Sequence, residues 1–189
     1  MSEDHTLPKP DRPVTIFDEL LRSTAVKETY DSQTSGLVDE AFGFLIGGSD
    51  TTTMSLAYGT YFLLTSPKQF GRLRDELDEA MPYIKSPDWN QIQRLPYLTA
   101  IVKETLRLSS VVPGILPRVV PPQGATVQGK FIPGGSYVSV SSSLIHGNPA
   151  LFPEPDAFLP ERWLGEQGKL LEKWNVAFSK GPRRCIGSS

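Results

Sequence analysis

The chain has 189 residues, of which 39% are hydrophobic, and a formal net charge of −2. Its length and hydrophobic content are sufficient for one domain with a buried core, whereas a pI near 5.7 and the absence of a basic face argue against nucleic-acid binding. A single cysteine excludes an intramolecular disulfide, and no stretch reaches the ~18 apolar residues of a membrane span. We therefore expect neither a signal peptide nor a membrane anchor in this chain.

The first segment of the chain is polar and rich in proline. Residues 1–13 contain three prolines and no hydrophobic periodicity, which predicts a disordered tail before a folded domain at 14–189. Thr15 then precedes an apolar pattern with Asp18 and Glu19 in its first turn. This arrangement predicts a short helix capped at Thr15.

A long apolar segment follows at residues 37–65 and ends at Ser66-Pro67, which predicts one long helix. Its centre, residues 47–53 (GGSDTTT), is poor helix-forming sequence, because each glycine costs about 1 kcal/mol relative to alanine. We expect a locally opened or bulged turn there, and such turns often mark functional sites. The alternative is a regular helix in which Ser and Thr side chains bond carbonyl groups one turn earlier.

Two more helices are predicted after this segment. Ser66 caps the first and Pro67 begins it, its charged residues form a solvated face, and its apolar residues recur at helical spacing at Phe70, Leu73, Leu77 and Met81. The second covers residues 97–108, where Glu104 and Arg107 lie one turn apart and meet on one side. As an exposed pair they would contribute only a few tenths of a kcal/mol.

Short strands are predicted beyond these helices. Residues 118–120, 125–128 and 137–140 contain clustered β-branched residues, and residues 133–135 (PGG) form a turn. His146 is interpreted as a structural histidine or one at the rim of a site, because a zinc site here would lack its four ligands.

The most specific pattern lies at residues 178–187 (FSKGPRRCIG) and contains the only cysteine of the sequence, Cys185. Neighbouring basic residues favour the thiolate, which is the form of cysteine that binds metal. Gly181 and Gly187 allow the backbone to turn tightly or to approach a flat partner closely. A buried structural cysteine is the alternative for any single Cys.

This segment resembles the haem-binding loop of the cytochromes P450, in which the Cys is the proximal iron ligand. Three further motifs agree in order: GGSDTT at 47–52 resembles the family's [AG]-G-x-[DE]-T-[TS] signature, KETLR at 103–107 its E-x-x-R helix, and FLPERW at 158–163 its meander motif. PVTIFDELL at 13–21 is similar to a segment of fungal members.

The resemblance implies a partial cytochrome P450 fold, mainly α with small β-sheets, and a haem b cofactor. It implies proton delivery by Asp50 and Thr51, with Cys185 as the axial ligand. The haem would be bound by Arg118, Phe178, Arg183, Cys185 and Gly187. Arg118 and Arg183 would bind the propionates, because a planar guanidinium matches a carboxylate, and Phe178 would shield the thiolate.

The resemblance also implies a structural network of Glu104, Arg107 and Arg162, which is costly if any member is missing. Residues 111–116 (VVPGIL) would line a substrate pocket, with ordinary core packing as the alternative. Lys180 and Arg184 would face an acidic redox partner.

The function implied is that of a haem-thiolate monooxygenase that inserts one oxygen atom of O₂ into a small organic substrate, in fungal secondary metabolism. Electrons would come from NADPH through NADPH-cytochrome P450 reductase. Relatives in this family are anchored in the endoplasmic-reticulum membrane, whereas this sequence has no anchor pattern, so a cytoplasmic or undetermined location is expected.

The sequence departs from the family pattern at both ends. It begins just before the central long helix and stops at residue 189, soon after Cys185. The alternative expectation is therefore that residues 14–189 form a truncated, non-catalytic cytochrome P450 fragment that cannot hold haem stably.

Overall fold

The computed structural model describes residues 13–22, 33–81 and 88–188. Within these ranges the chain forms seven α-helices and two small antiparallel sheets, which confirms the expected mainly α fold. The chain divides into two units, Met1–Asp50 and Thr51–Ser189. Apart from Pro13, the predicted disordered tail lies outside the described residues.

The first unit contains helix α1 (Ile16–Arg22) and the beginning of helix α2 (Gln33–Leu64). The Thr15 hydroxyl accepts from the Asp18 N–H at 3.3 Å and donates to the Asp18 carboxylate at 2.8 Å, and that carboxylate also accepts from the Thr15 N–H at 2.8 Å. These reciprocal bonds satisfy helix-terminal N–H groups, and the predicted cap at Thr15 is confirmed.

Helix α2 is regular where an opened turn was expected, so that prediction is wrong. Residues 47–53 are α-helical throughout, and the Ser55 hydroxyl donates to the Thr51 carbonyl at 2.9 Å, as in the alternative. Because helix formation is cooperative, a break would forfeit several backbone hydrogen bonds in order to avoid a glycine cost of about 1 kcal/mol per residue.

The second unit contains helices α3 (Pro67–Ala80), α4 (Trp89–Ile92) and α5 (Pro96–Ser109). The predicted helices at α3 and α5 are confirmed, and the short α4 was not predicted. Ser66 is the N-cap residue of α3, as predicted, and its carbonyl accepts from the Phe70 N–H at 3.0 Å, but its side chain makes no cap hydrogen bond. Pro67 begins the helix.

The charged face of α3 is not uniformly solvated, contrary to expectation. The Glu76 carboxylate accepts from the Tyr97 N–H at 2.7 Å and the Leu98 N–H at 2.8 Å. These groups belong to the first turn of α5, where backbone N–H groups have no partner within the helix. Glu76 therefore caps a neighbouring helix.

Helix α5 lies at the centre of the packing. Its Ala100 joins a buried cluster with Phe152, Trp163 and Leu171, and its Tyr97 and Ile101 join a second cluster with Leu73 of α3. A Cβ placed on Gly59 of α2 would lie 3.1 Å from the Thr105 Cγ2 atom, so glycine permits close contact with α5 at this point.

The two sheets are small. Strand β1 (Arg118–Val119) pairs with β4 (Tyr137–Val138), and β2 (Ala125–Val127) pairs with β3 (Lys130–Ile132), both antiparallel. The three predicted strands are present but shorter, and β3 was missed.

The predicted turn at residues 133–135 is also present. The Ser136 N–H donates to the Pro133 carbonyl at 3.3 Å, and Gly135 has a φ of +81°. A Cβ on Gly134 would lie only 2.4 Å from the Pro122 carbonyl oxygen, so the turn requires glycine at both positions.

The C-terminal part contains α6 (Ser142–His146), α7 (Gly165–Leu171) and three 3₁₀ turns at Pro160–Trp163, Glu172–Trp174 and Gly181–Arg183. In the segment at residues 111–116, Val111 is half-buried and the other five residues are exposed, so this structure does not show the core packing that was the alternative there. Among the described helices, none combines the length and the apolar character that a membrane crossing requires.

Candidate functional site

The loop that contains Cys185 is closed by backbone hydrogen bonds. The Cys185 N–H donates to the Phe178 carbonyl at 2.8 Å, and the Arg184 N–H donates to the Gly181 carbonyl at 3.1 Å. Gly181 has a φ of +77°, a conformation that glycine adopts without a steric penalty. The glycine of the motif therefore allows the tight turn that leads to the thiol.

Cys185 is a free, exposed cysteine, so the buried-cysteine alternative is wrong. A Cβ on Gly187 would lie 3.8 Å from the Cys185 Sγ atom, so glycine leaves the space beside the sulfur open. A free thiol with open space beside it suits the axial ligand of a flat group such as haem. The donor set and the backbone of this loop thus fit a haem.

The predicted haem-contacting side chains are also exposed. Phe178 is partly exposed, and Arg183 lies in the exposed turn before Cys185. Arg118 lies in β1, where its Nη1 donates to the Leu116 carbonyl at 3.1 Å and to the Pro117 carbonyl at 3.0 Å. The Lys180 ammonium donates to the Lys173 carbonyl.

Asp50 and Thr51 lie in the middle of α2, where the boundary between the two units falls. Asp50 is exposed and Thr51 is half-buried. The structure thus places an acid and an alcohol on consecutive residues of a regular helix.

The structure brings Glu104, Arg107 and Arg162 together in one buried network. The Glu104 carboxylate accepts from Arg107 Nε at 2.9 Å, Arg107 Nη2 at 2.8 Å and Arg162 Nε at 3.0 Å. The side chains of Glu104 and Arg107 are 0% and 1% exposed. The bidentate geometry of the Arg107 contact is the strong form of a carboxylate–guanidinium pair.

Two further donors complete the bonding of this carboxylate. The Trp163 indole Nε1 donates to it at 2.8 Å and the Leu159 N–H at 3.1 Å. Trp163 belongs to the FLPERW motif, from which no role was predicted for it. Its signal was available, because a buried indole N–H can only donate and needs an acceptor.

The two arginines also organise the chain before the Pro160–Trp163 turn. Arg107 donates to the carbonyls of His146, Pro155 and Ala157 at 2.9, 2.7 and 3.2 Å. Arg162 donates to the carbonyls of Pro153 and Glu154 at 2.8 and 3.1 Å. One carboxylate therefore holds two guanidinium groups that in turn fix an irregular segment of backbone.

A second polar cluster was not predicted from the sequence. The Tyr97 hydroxyl donates to Glu161 at 3.0 Å, and Arg72 donates to the same oxygen at 3.3 Å while its guanidinium lies 4.2 Å from the centre of the Tyr97 ring. Burial, with the hydrogen bond to Glu161, raises the pKa of Tyr97 to about 12.

His146 is buried, which confirms the first of its two interpretations, a structural histidine, over a position at a rim. Its Nε2 atom accepts from the Val176 N–H at 3.1 Å. Burial, and secondarily the charge of Arg107, lower its pKa to about 4. The ring is therefore neutral at physiological pH.

The described part of the chain is mainly helical. It contains a buried network of one glutamate and two arginines and an exposed loop with a cysteine, and these features together define its class. The sequence model of the family "Cytochrome P450" matches residues 2–189. The chain belongs to the cytochrome P450 family, which implies a haem cofactor.

Similar proteins are cytochrome P450 monooxygenases of fungi. The monooxygenase ankB of Aspergillus thermomutatus is 44% identical over 98% of this chain and 36% of its own length. The monooxygenase asqL of Emericella nidulans is 51% identical over 83% of this chain and 33% of its own length. The "Inactive cytochrome P450 monooxygenase cloA" of Claviceps fusiformis is 46% identical over 80% and 30%. The chain spans about a third of the length of the curated relatives it matches.

Proposed function

We propose that this sequence forms the haem-ligand part of a cytochrome P450 monooxygenase that inserts one oxygen atom of O₂ into a small organic substrate. The observation that carries the proposal is the exposed Cys185 thiol, which lies in a loop closed by the bond from the Cys185 N–H to the Phe178 carbonyl. The activity is proposed for a protein of full family length that contains this sequence. The proposal extends to a role in fungal secondary metabolism; the similar proteins are monooxygenases of fungi.

The residues of the loop have distinct proposed roles. Cys185 supplies a thiolate to the iron of haem b, and Phe178 covers that thiolate. Arg118 and Arg183 bind the two propionates through their planar guanidinium groups. When bound, haem supplies the site of oxygen activation, and a thiolate ligand favours O–O cleavage.

Proton delivery is proposed for Asp50 and Thr51, an exposed acid beside a half-buried alcohol in α2. Glu104, Arg107 and Arg162 act at a distance from the chemistry, as a structural support for the segment that precedes the loop. A carboxylate with both oxygens bonded to guanidinium groups suits support better than proton transfer.

The electron donor is proposed to be NADPH, through NADPH-cytochrome P450 reductase. Lys180 and Arg184 are exposed cations beside the thiol, which suit an acidic redox partner.

The test of the proposed function replaces Cys185 by serine. In a protein of full family length containing this sequence, Cys185→Ser should remove the thiolate-type spectrum of the reduced carbonyl complex, because an alcohol is too weakly acidic to supply the anionic ligand. The control is Ile186→Ala, which removes an 85% exposed side chain from the same loop and should leave the spectrum unchanged. Retention of that spectrum in Cys185→Ser would show that Cys185 is not the ligand.

A second candidate function is that of a non-catalytic member of the family. The observation behind it is the 46% identity over 153 residues to the relative named inactive in Claviceps fusiformis, which is close to the 48% identity over 153 residues to cloA of Claviceps purpurea. The two candidates differ in NADPH-dependent product formation: a protein that binds haem through Cys185 but forms no product from any substrate tested supports the second.

A further inference from the structure

His146 connects the buried Glu104 network to the loop that contains Cys185. On one side, its carbonyl accepts from Arg107 Nη1 at 2.9 Å. On the other, its ring Nε2 accepts from the Val176 N–H at 3.1 Å. His146 is 2% exposed; its bond from Arg107 is buried, and its bond from Val176 is partly buried.

Val176 begins the stretch of backbone that ends at the thiol. Its carbonyl accepts from the Ser179 N–H at 2.9 Å, and Ser179 has a φ of +61°, a left-handed conformation that is uncommon for residues with a side chain. The carbonyl of Phe178, within this turn, accepts from the Cys185 N–H at 2.8 Å. The position of Cys185 therefore depends on a turn whose first residue is held by the imidazole.

We propose that His146 is a positioning residue for Cys185: by accepting the Val176 N–H, its ring fixes the turn at residues 176–179 and thereby the placement of the thiol. The proposal rests on the proposed function only in giving Cys185 the role of iron ligand. The mechanical link from the imidazole to the loop stands on the hydrogen bonds alone.

The chemistry of the ring suits this role. The Phe152 ring, which is fully buried, meets the imidazole edge-on at a centroid distance of 6.0 Å and so restricts its orientation. Among the described charged residues, Arg107 and Glu104 act on the ring with opposite effects, and burial dominates in holding its pKa near 4. The imidazole is thus neutral above about pH 5, with one ring nitrogen free to accept.

The alternative is that His146 only fills space in the core. Two substitutions separate these roles: His146→Gln keeps a hydrogen-bond acceptor on a side chain of similar reach, whereas His146→Leu removes the acceptor. Phe152→Leu is the matched control, because it loosens the packing against the ring and leaves the acceptor in place.

Amide hydrogen exchange of the 189-residue chain without haem is the primary measurement. We expect His146→Leu to speed exchange in peptides covering residues 176–185 about tenfold more than Phe152→Leu does, at equal loss of global stability. His146→Gln should restore slow exchange. Equal acceleration by His146→Leu and Phe152→Leu would overturn the proposal.

Acidification provides a second measurement if His146→Leu does not fold. Between pH 6 and about 4 the wild-type loop should gain exchange, after correction for intrinsic rates, as the imidazole takes up a proton and loses its acceptor. The His146→Gln loop should not change. Identical pH profiles for the two proteins would also overturn the proposal.

The effect of His146 on the iron ligand is tested in a separate experiment. It uses the spectrum of the reduced carbonyl complex in a protein of full family length. His146→Leu should lower the share of the thiolate-type form and His146→Gln should preserve it. If Cys185→Ser retained that form, the proposed function would fail, while the exchange data would still decide whether His146 holds the turn.

Discussion

At the scale of single residues, the buried Glu104 carboxylate accepts five hydrogen bonds, three of them from guanidinium groups. Glu104→Gln replaces a charge that balances two guanidinium groups with a neutral amide, and Arg107 stays buried with an unbalanced charge. Breaking a buried ion pair costs about 3–5 kcal/mol, so the urea midpoint of unfolding should fall sharply.

The chain offers a matched control for this substitution. Glu166 and Lys169 form another pair at i and i+3, at 2.7 Å, but their side chains are 85% and 74% exposed. Glu166→Gln should change stability by less than about 1 kcal/mol. If Glu104→Gln and Glu166→Gln lowered the unfolding free energy by similar amounts, burial of the Glu104 pair would not be what makes it strong.

The lowered pKa of His146 predicts that the folded protein loses stability in acid. Its folded pKa of about 4 lies below the ordinary value of 6.5, so between these values the unfolded chain binds more protons than the folded one. The stability from neutral His146 is complete above about pH 6.5 and is lost as the pH falls toward 4, by up to about 3 kcal/mol. His146→Gln, which does not titrate, should show a shallower loss in urea unfolding across this range. If the unfolding free energies of the wild type and His146→Gln fell in parallel with pH, the loss could not be attributed to His146.

At the scale of secondary-structure elements, α5 depends on a cap supplied by α3. Glu76→Ala removes the acceptor of the Tyr97 and Leu98 N–H groups, and a lost cap costs about 0.5–2 kcal/mol. Asp78→Ala, at an exposed position of the same helix, is the control and should cost less. The free energy of unfolding of both variants is measured by chemical denaturation. Equal losses would show that Glu76 behaves as a solvated residue and does not cap α5.

Helical glycines in this chain differ in what surrounds them. A Cβ on Gly168 of α7 would lie 2.0 Å from the Trp163 carbonyl oxygen, whereas a Cβ on Gly71 of α3 meets no described atom within 4 Å. Gly168→Ala should therefore displace the Pro160–Trp163 turn and lower the melting temperature. Gly71→Ala should raise stability by up to about 1 kcal/mol, because it restricts the unfolded chain.

The elements that the sequence predicted are those with local signals. The helices at α2, α3 and α5 follow from apolar spacing and from proline at their boundaries, which are properties of neighbouring residues. The Glu76 cap was missed because its partners are fixed by tertiary packing. Strand β3 was missed although its signal is local, since it pairs with β2 across the two-residue turn Gln128-Gly129, where both residues have positive φ. The regular centre of α2 shows cooperative helix formation outweighing local propensity.

The candidate site was predicted by motif more than by periodicity. Spacing alone placed Glu104 and Arg107 on one side of a helix, but only the family pattern connected them with Arg162, more than fifty residues away. The link through His146 has no sequence signature, since it joins a ring nitrogen to a backbone N–H. The roles of Asp50 and Thr51 in proton delivery and of Arg118, Phe178, Arg183, Cys185 and Gly187 in binding haem stay predictions.

At the scale of the whole molecule, the proposed reaction requires substrate, electrons and protons together, so Thr51 is tested in a protein of full family length containing this sequence. Thr51→Ala should let NADPH and O₂ be consumed while product falls, because positioned proton transfer contributes ~10²–10⁴-fold. Thr51→Ser keeps the hydroxyl and should keep product yield, and Thr53→Ala, at an exposed position in α2, is the control. The measurement is product formed per NADPH oxidised. If Thr51→Ala left the ratio of product to NADPH oxidised unchanged, proton delivery would not need the hydroxyl. Thr51 would then have only a packing role in the helix.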